Sequence, residues 1–196
     1  MNRKTKDIIR KGIYAIIFIA MLVAFVYLGN KYAGNSEVKV LTINDYYKEI
    51  KKDNFKVISG AKFIKLFDEG KHIIVIGSSK SQYSQKYITE INKIVEELNI
   101  KDVKYYDIIN DKAQGNSNYY KIVEKLDGYL TTTDTSVNNL LSPSFYIIEN
   151  GKVKYYNTET SAMKNTDTVE DYWTLNQEFK FKDEITNAIN KYYLNK

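Results

Sequence analysis

Apolar residues fall along this chain in three patterns, and each predicts a different kind of element. The first is an uninterrupted run at residues 12–29, GIYAIIFIAMLVAFVYLG, which carries no charge. As a helix with 1.5 Å rise per residue it reaches about 27 Å, close to the hydrocarbon thickness of a bilayer, so a transmembrane helix is expected there. Residues 30–41, NKYAGNSEVKVL, sustain little periodicity and read as a stalk.

Helical and strand periods then alternate from residue 42 onward. Asn44 is placed to cap a short helix through Lys52, with Tyr46, Tyr47 and Ile50 on one face, and residues 55–58 read as a strand. Ser59 precedes a helix striped by Phe63, Ile64 and Phe67, which Gly70 ends. Ile73, Ile74, Val75 and Ile76 form a β-branched run, the pattern of a central strand buried on both faces. After Gly77, Ser78 or Ser79 is expected to cap a long helix with Tyr83, Tyr87, Ile88, Ile91, Ile94, Val95 and Leu98 on its apolar side. Residues 103–109 predict a further strand, and the polar stretch NDKAQGNSN leads to a helix bearing Tyr119, Ile122, Val123 and Leu126. Asn150-Gly151 between two apolar runs predicts a hairpin, because both residues accept positive φ. Residues 158–178 are polar apart from Ala162, Met163, Val169, Tyr172, Trp173 and Leu175, and a final helix carries Phe181, Ile185, Ala188, Ile189 and Tyr192.

Charge sharpens the first pattern. Residues 1–11 hold Arg3, Lys4, Lys6, Arg10 and Lys11 against Asp7, a net +4 that leaves +1 of the chain's +5 for residues 12–196. The basic tail before the apolar run, against Lys31 alone just after it, predicts a cytoplasmic N-terminus. No pair of small residues marks a cleavage site after the run, where Lys31 and Tyr32 stand, so an uncleaved anchor is expected rather than a signal peptide. The chain thus divides into a cytoplasmic tail at 1–11, a membrane helix at 12–29, a stalk at 30–41 and an extracytoplasmic domain at 42–196. Both arginines lie in the tail, which leaves the domain without a guanidinium for bidentate phosphate or guanine recognition, and no nucleic-acid partner is expected. Cysteine is absent, so disulfides, thiolate metal sites and thiol catalysis are excluded.

The order strand, helix, strand, helix, strand, helix, hairpin, helix resembles the thioredoxin fold. The segment VIGSSKSQYSQKYITEINKI at 75–94 is similar to the active-site segment of membrane-bound thioredoxin-like proteins of Gram-positive bacteria, in particular the bacteriocin-transport accessory group, whose pattern is roughly Y-I-G, a short loop, then C-x-x-C. Ser81, Gln82, Tyr83 and Ser84 stand at the C-x-x-C positions, and Pro143, the single proline of the chain, stands just before the strand where the family keeps its cis-proline. The resemblance covers 55–157 and 179–194. It implies an α/β three-layer sandwich with a mixed central sheet, a cis Ser142-Pro143 bond, and a binding groove formed by Ser81, Gln82, Tyr83, Ser84, Ser142 and Pro143 for an extended peptide. The departures are the two serines, a longer loop before Ser142 and an insertion at 158–178.

Ser81 and Ser84 could serve as nucleophiles only beside a base, and the lone histidine, His72, starts the buried strand at the end opposite the site. They are therefore expected as helix caps or solvated loop residues, and no catalytic residue is assigned. Tyr172 and Trp173 are expected to cover the edge of their own domain, and Asp167, Glu170 and Asp171 to form a solvated face without metal-loop spacing. No metal, cofactor or small-molecule ligand is implied. The expected function is a redox-inactive protein of the cell membrane that binds an exported peptide or envelope protein in secretion or assembly. Two alternatives are a thiol-disulfide oxidoreductase whose cysteines have been replaced by serine, and a purely structural subunit of an envelope complex. Cysteines introduced singly at Ser36 and Thr5 test the topology: in intact cells an impermeant maleimide will label Ser36→Cys and leave Thr5→Cys untouched, and the reverse pattern would place the domain inside.

Overall fold

A computed structural model of the chain describes residues 14, 18–21, 23–24, 41–50, 54–130, 139–164 and 168–196. It divides into two units, Met1–Val40 and Leu41–Lys196. In the first, the described residues are helical, and Tyr14, Phe18, Ile19, Met21 and Val23 are exposed. No helix among the described residues is long and apolar enough to cross a membrane. The basic tail at 1–11, most of the apolar run at 12–29 and all of the stalk but Leu41 lie outside the described residues.

The second unit opens with one helical turn, α1 (Ile43–Tyr46). It starts one residue earlier than the expected cap at Asn44, because the Asp45 carboxylate reaches back to accept the Thr42 N–H at 2.8 Å. Its partners Ile43, Tyr47 and Ile50 are buried, but the helix does not continue to Lys52: Tyr47 is already extended. Then follow β1 (Phe55–Val57), α2 (Gly60–Asp68), β2 (Lys71–Gly77), α3 (Gln82–Glu97) and β3 (Val103–Asp107). Next come α4 (Ile109–Ala113), α5 (Ser117–Lys125) and the hairpin of β4 (Ser144–Glu149) and β5 (Lys152–Asn157). The chain ends with α6 (Thr160–Lys164), α7 (Val169–Tyr172), α8 (Leu175–Ala188) and a π-helical turn, Ile189–Leu194.

Five described strands form one sheet in the order β1-β3-β2-β4-β5. β1, β3 and β2 run parallel, while β4 is antiparallel to β2 and β5 to β4. β2 is central, and Ile73 to Ile76 have no exposed surface, which is what an uninterrupted β-branched run requires. Period two sends Ile73 and Val75 to one face, against Tyr87, Ile88, Ile91 and Val95 of α3 and Phe181 and Ile185 of α8. Ile74 and Ile76 face Phe63 and Phe67 of α2 and Tyr119 and Ile122 of α5. The result is the three-layer sandwich with a mixed sheet that the resemblance implied.

Several boundaries differ from the sequence pattern for local reasons. The cap of α3 is Ser81, not Ser78 or Ser79, because Ser78 to Ser81 first close a turn through the Ser81 N–H to Ser78 O bond of 2.9 Å. β3 stops at Asp107 rather than 109, where the Asp107 carboxylate accepts the Ile109 N–H at 3.0 Å and turns the chain into α4. The hairpin forms as its sequence predicts: Asn150 and Gly151 have φ of 48° and 76°.

The segment 158–178 carries two short helices and begins α8; three of its apolar residues point inward, while Ala162 and Leu175 are exposed. Met163, Val169 and Trp173 are buried. The Trp173 ring meets Phe181 edge-on at 5.1 Å, Tyr172 at 5.3 Å and Tyr87 at 6.5 Å, so it covers the outer side of α3 within its own domain. Truncating a buried tryptophan removes such a block at a typical cost of about 3–5 kcal/mol, so Trp173→Ala will shift the urea midpoint of the full-length chain in detergent by that equivalent. A change below about 1 kcal/mol, the scale of surface substitutions, would mean that the segment is not part of the core.

Candidate functional site

The site is built where β2 stops. A Cβ on Gly77 would sit 2.6 Å from the Tyr105 ring and 2.7 Å from Ile88 Cδ1, so only glycine lets β2 run so close beneath α3. The chain then turns through Ser78, Ser79 and Lys80, and α3 begins with Ser81 as its cap, the Ser81 hydroxyl accepting the Ser84 N–H at 3.3 Å. Ser84, three residues in, is fully buried. Its hydroxyl accepts the Ser78 N–H at 3.1 Å and lies 3.2 Å from the hydroxyl of Ser142, in the loop before β4. A single buried oxygen thus joins the end of β2, the first turn of α3 and the loop that precedes Pro143.

The Ser142-Pro143 peptide is cis. Pro143 is buried, and its carbonyl accepts from Thr160 at 2.9 Å and Thr158 at 3.3 Å, which attaches the loop to the start of the 158–178 segment. Among the described residues, neither the N–H nor the C=O of Ser142 has a hydrogen-bond partner. The loop borders an open groove of about 500 Å³, walled by Ser78, Ser81, Ile108, Leu140, Ser142 and Thr160, with Lys112 at its rim.

Of the residues singled out in the sequence, the structure brings Ser81, Ser84, Ser142 and Pro143 together. Ser81 and Ser142 line the groove, and Ser84 lies beneath them. Gln82 is exposed and lines a separate open cavity of about 510 Å³ with Gln85 and Lys86, while the Tyr83 ring packs on the core. Ile108, Lys112, Leu140 and Thr160 had no local signal: they arrive at the groove from α4, from the loop before Ser142 and from the segment after β5.

Among the described residues, no general base stands at the serines. His72 lies five residues back along β2, about 17 Å from Gly77 at a strand's rise, and its Nε2 is 2.8 Å from the Glu69 carbonyl. The phenols at this end of the sheet are no substitute, since each is held protonated at neutral pH. Burial raises Tyr105 far above its usual range, burial and then the Asp111 carboxylate raise Tyr106, and burial and then Asp107 raise Tyr46. What the structure shows of these serines is their hydrogen bonds: Ser81 to Ser84, and Ser84 to Ser78 and Ser142. Among the described residues no cluster of His, Asp and Glu has the makings of a metal site; Glu170 and Asp171 are exposed, and Asp167 lies outside the described residues.

Strand order, strand directions and the placement of the loop before β4 beside the start of α3 define a thioredoxin-like fold. No protein-family model matches the chain, and no curated protein matches it. Among solved structures it is similar to thioredoxin f2 of Chlamydomonas reinhardtii, at 9% identity and a TM-score of 0.40, covering 70% of this chain and 94% of that one. Thioredoxin O2 of Arabidopsis thaliana in its oxidized state follows at 12% identity and a TM-score of 0.37, with 59% and 96% covered. Mitochondrial thioredoxin 3 of Saccharomyces cerevisiae, oxidized form, has 12% identity and a TM-score of 0.34, with 61% and 93% covered.

The Ser84 junction yields a direct test. Ser84→Ala leaves the Ser78 N–H and the Ser142 hydroxyl without their buried partner, a loss of about 1–3 kcal/mol. Amide exchange at Ser78 will quicken while the middle of α3 stays protected; unchanged exchange at Ser78 would show that the hydroxyl does not hold the turn.

Proposed function

We propose that the chain is a membrane-tethered, extracytoplasmic thioredoxin-like protein that works without redox chemistry, holding an extended segment of an exported peptide or envelope protein during secretion or assembly. The observation that carries this reading is the unpaired peptide unit of Ser142 at the edge of the groove. A backbone N–H and C=O side by side, with no internal partner among the described residues, are what an incoming extended strand pairs with. The walls are consistent with that use: half-buried Ser78 and Ser81 offer hydroxyls, over a floor that includes the buried side chains of Ile108 and Leu140.

The tether follows from the uncharged run at 12–29 and the basic residues before it. Redox inactivity follows from composition, because with no cysteine no disulfide can be formed or exchanged. The likeness of residues 75–94 to the bacteriocin-transport accessory group favours a small exported peptide of a Gram-positive cell as the client.

A photo-crosslinking amino acid replacing Ser81 at the groove, or Lys152 at the far hairpin, tests the reading in intact cells. Adducts containing exported peptides or envelope proteins are expected from position 81 and not from 152. Equal adducts from both positions, or none from 81, would overturn it.

A further inference from the structure

We propose that Glu159 and Glu184 form a proton-operated catch on the loop that carries Pro143, loose when both carboxylates are charged and closed when Glu159 takes up a proton. Thr158 and Thr160 hold that loop, since both hydroxyls donate to the Pro143 carbonyl, and Glu159 stands between them in the chain. The Glu159 carboxylate accepts from Asn157 Nδ2 at 3.5 Å and from Gln177 Nε2 at 3.4 Å. Asn157 Nδ2 also donates to Glu184 of α8, at 3.1 Å. One neutral amide thus serves two carboxylates. It cannot turn away from them, because its oxygen accepts from the Tyr87 hydroxyl at 2.8 Å. The catch belongs to the wall of the groove, which Thr160 lines, and does not depend on what the groove holds.

Like charges on either side of one amide repel, and among the described residues neither carboxylate makes an ion pair. The other titratable groups at the pair are phenols. Tyr155 of β5 donates to Glu184, Tyr87 of α3 donates to Asn157, and Tyr172 of α7 accepts from the Gln177 amide that also serves Glu159. Tyr192, from the turn after α8, stacks on Tyr155 at 6.0 Å. Burial, and then the neighbouring carboxylates, keep Tyr87 and Tyr155 protonated. Beyond hydrogen-bond reach of the pair, Lys86 and Lys93 are bonded to Glu90 and Glu178, and Asp183 and Lys191 border Glu184, so each of these groups sums to zero charge. Glu184 is exposed and Glu159 half-buried, so the proton goes to the less hydrated Glu159. Burial lifts its carboxyl above the usual carboxylate range, the Asn157 amide opposes the rise, and the charge of Glu184 adds to it. A carboxyl that binds its proton more tightly in the folded chain strengthens the fold as pH falls from neutral, and weakens it again as pH rises and the charge returns.

The test compares the full-length chain with Glu159→Gln, both in non-ionic detergent, as pH is lowered from neutral. At neutral pH Glu159→Gln will unfold about 2–4 °C above the native chain, the scale of one modest interaction in a domain of this size. That gap will close as pH falls toward 4.5, the ordinary glutamate value. The amide of Met163, bonded to the Glu159 carbonyl at 2.9 Å, reports the catch locally. Corrected for the intrinsic pH dependence of exchange, its protection will rise several-fold on acidification in the native chain and stay constant in Glu159→Gln. Glu184→Gln will lower the pH at which the Glu159 carboxyl carbon titrates by NMR, without restoring the ordinary value, because burial remains. No gap at neutral pH, or a gap that persists unchanged in acid, would overturn the catch. Protection at Met163 that ignores pH in the native chain would overturn it too. None of these outcomes bears on crosslinking from position 81, so peptide holding stands or falls on its own.

Discussion

The architecture depends on one strand with no exposed face. Ile73, Ile74, Val75 and Ile76 are each worth roughly 1.5–3 kcal/mol when removed from water, and that gain is realised only if helices cover both sides of the sheet. α3 and α8 close one side, α2 and α5 the other. The parallel neighbour β3 and the antiparallel neighbour β4 satisfy the backbone of β2 on its two edges. Because β4 pairs with β2 in the register Ile76 to Ser144, the loop that precedes it must arrive beside the residues that follow Gly77. The meeting of Ser78, Ser84 and Ser142 is thus set by strand pairing, and the hydroxyl of Ser84 fastens what the sheet has already brought close.

Among the described residues, the interactions at that junction are hydrogen bonds. Serine hydroxyls without a base nearby do not become nucleophiles, and buried tyrosines whose phenols are pushed upward do not serve as bases. The same low polarity that silences proton transfer strengthens directional bonds to a bound backbone.

Much of this was legible in the chain, and what was not has a physical reason. The buried strand, the stripe of α3 and the Asn150-Gly151 turn are local patterns, and all three formed where the pattern stood. Three serines within four residues could each cap α3, and the choice fell to Ser81 because the turn from Ser78 had to close first, a matter of tertiary fit to Ser84. The end of β3 was hidden in the side chain of Asp107, which imitates a turn. The role of Trp173 could be weighed but not decided from a mostly polar segment, since its partners Tyr87 and Phe181 come from two other helices. At the groove, Ser81, Ser84, Ser142 and Pro143 were reached through likeness to a known active-site segment. Ile108, Lys112, Leu140 and Thr160 lie on elements whose meeting only the fold reveals.

The Ser84 to Ser142 contact has one more consequence. A pair of thiols at the helix start would make two different proteins, one oxidised and one reduced, with different stabilities. Oxygen in that place knows only one state. Whatever the redox poise of the space the domain occupies, no glutathione, oxidase or isomerase can rewrite the geometry of that junction, which is insensitive to the currents of electrons around it.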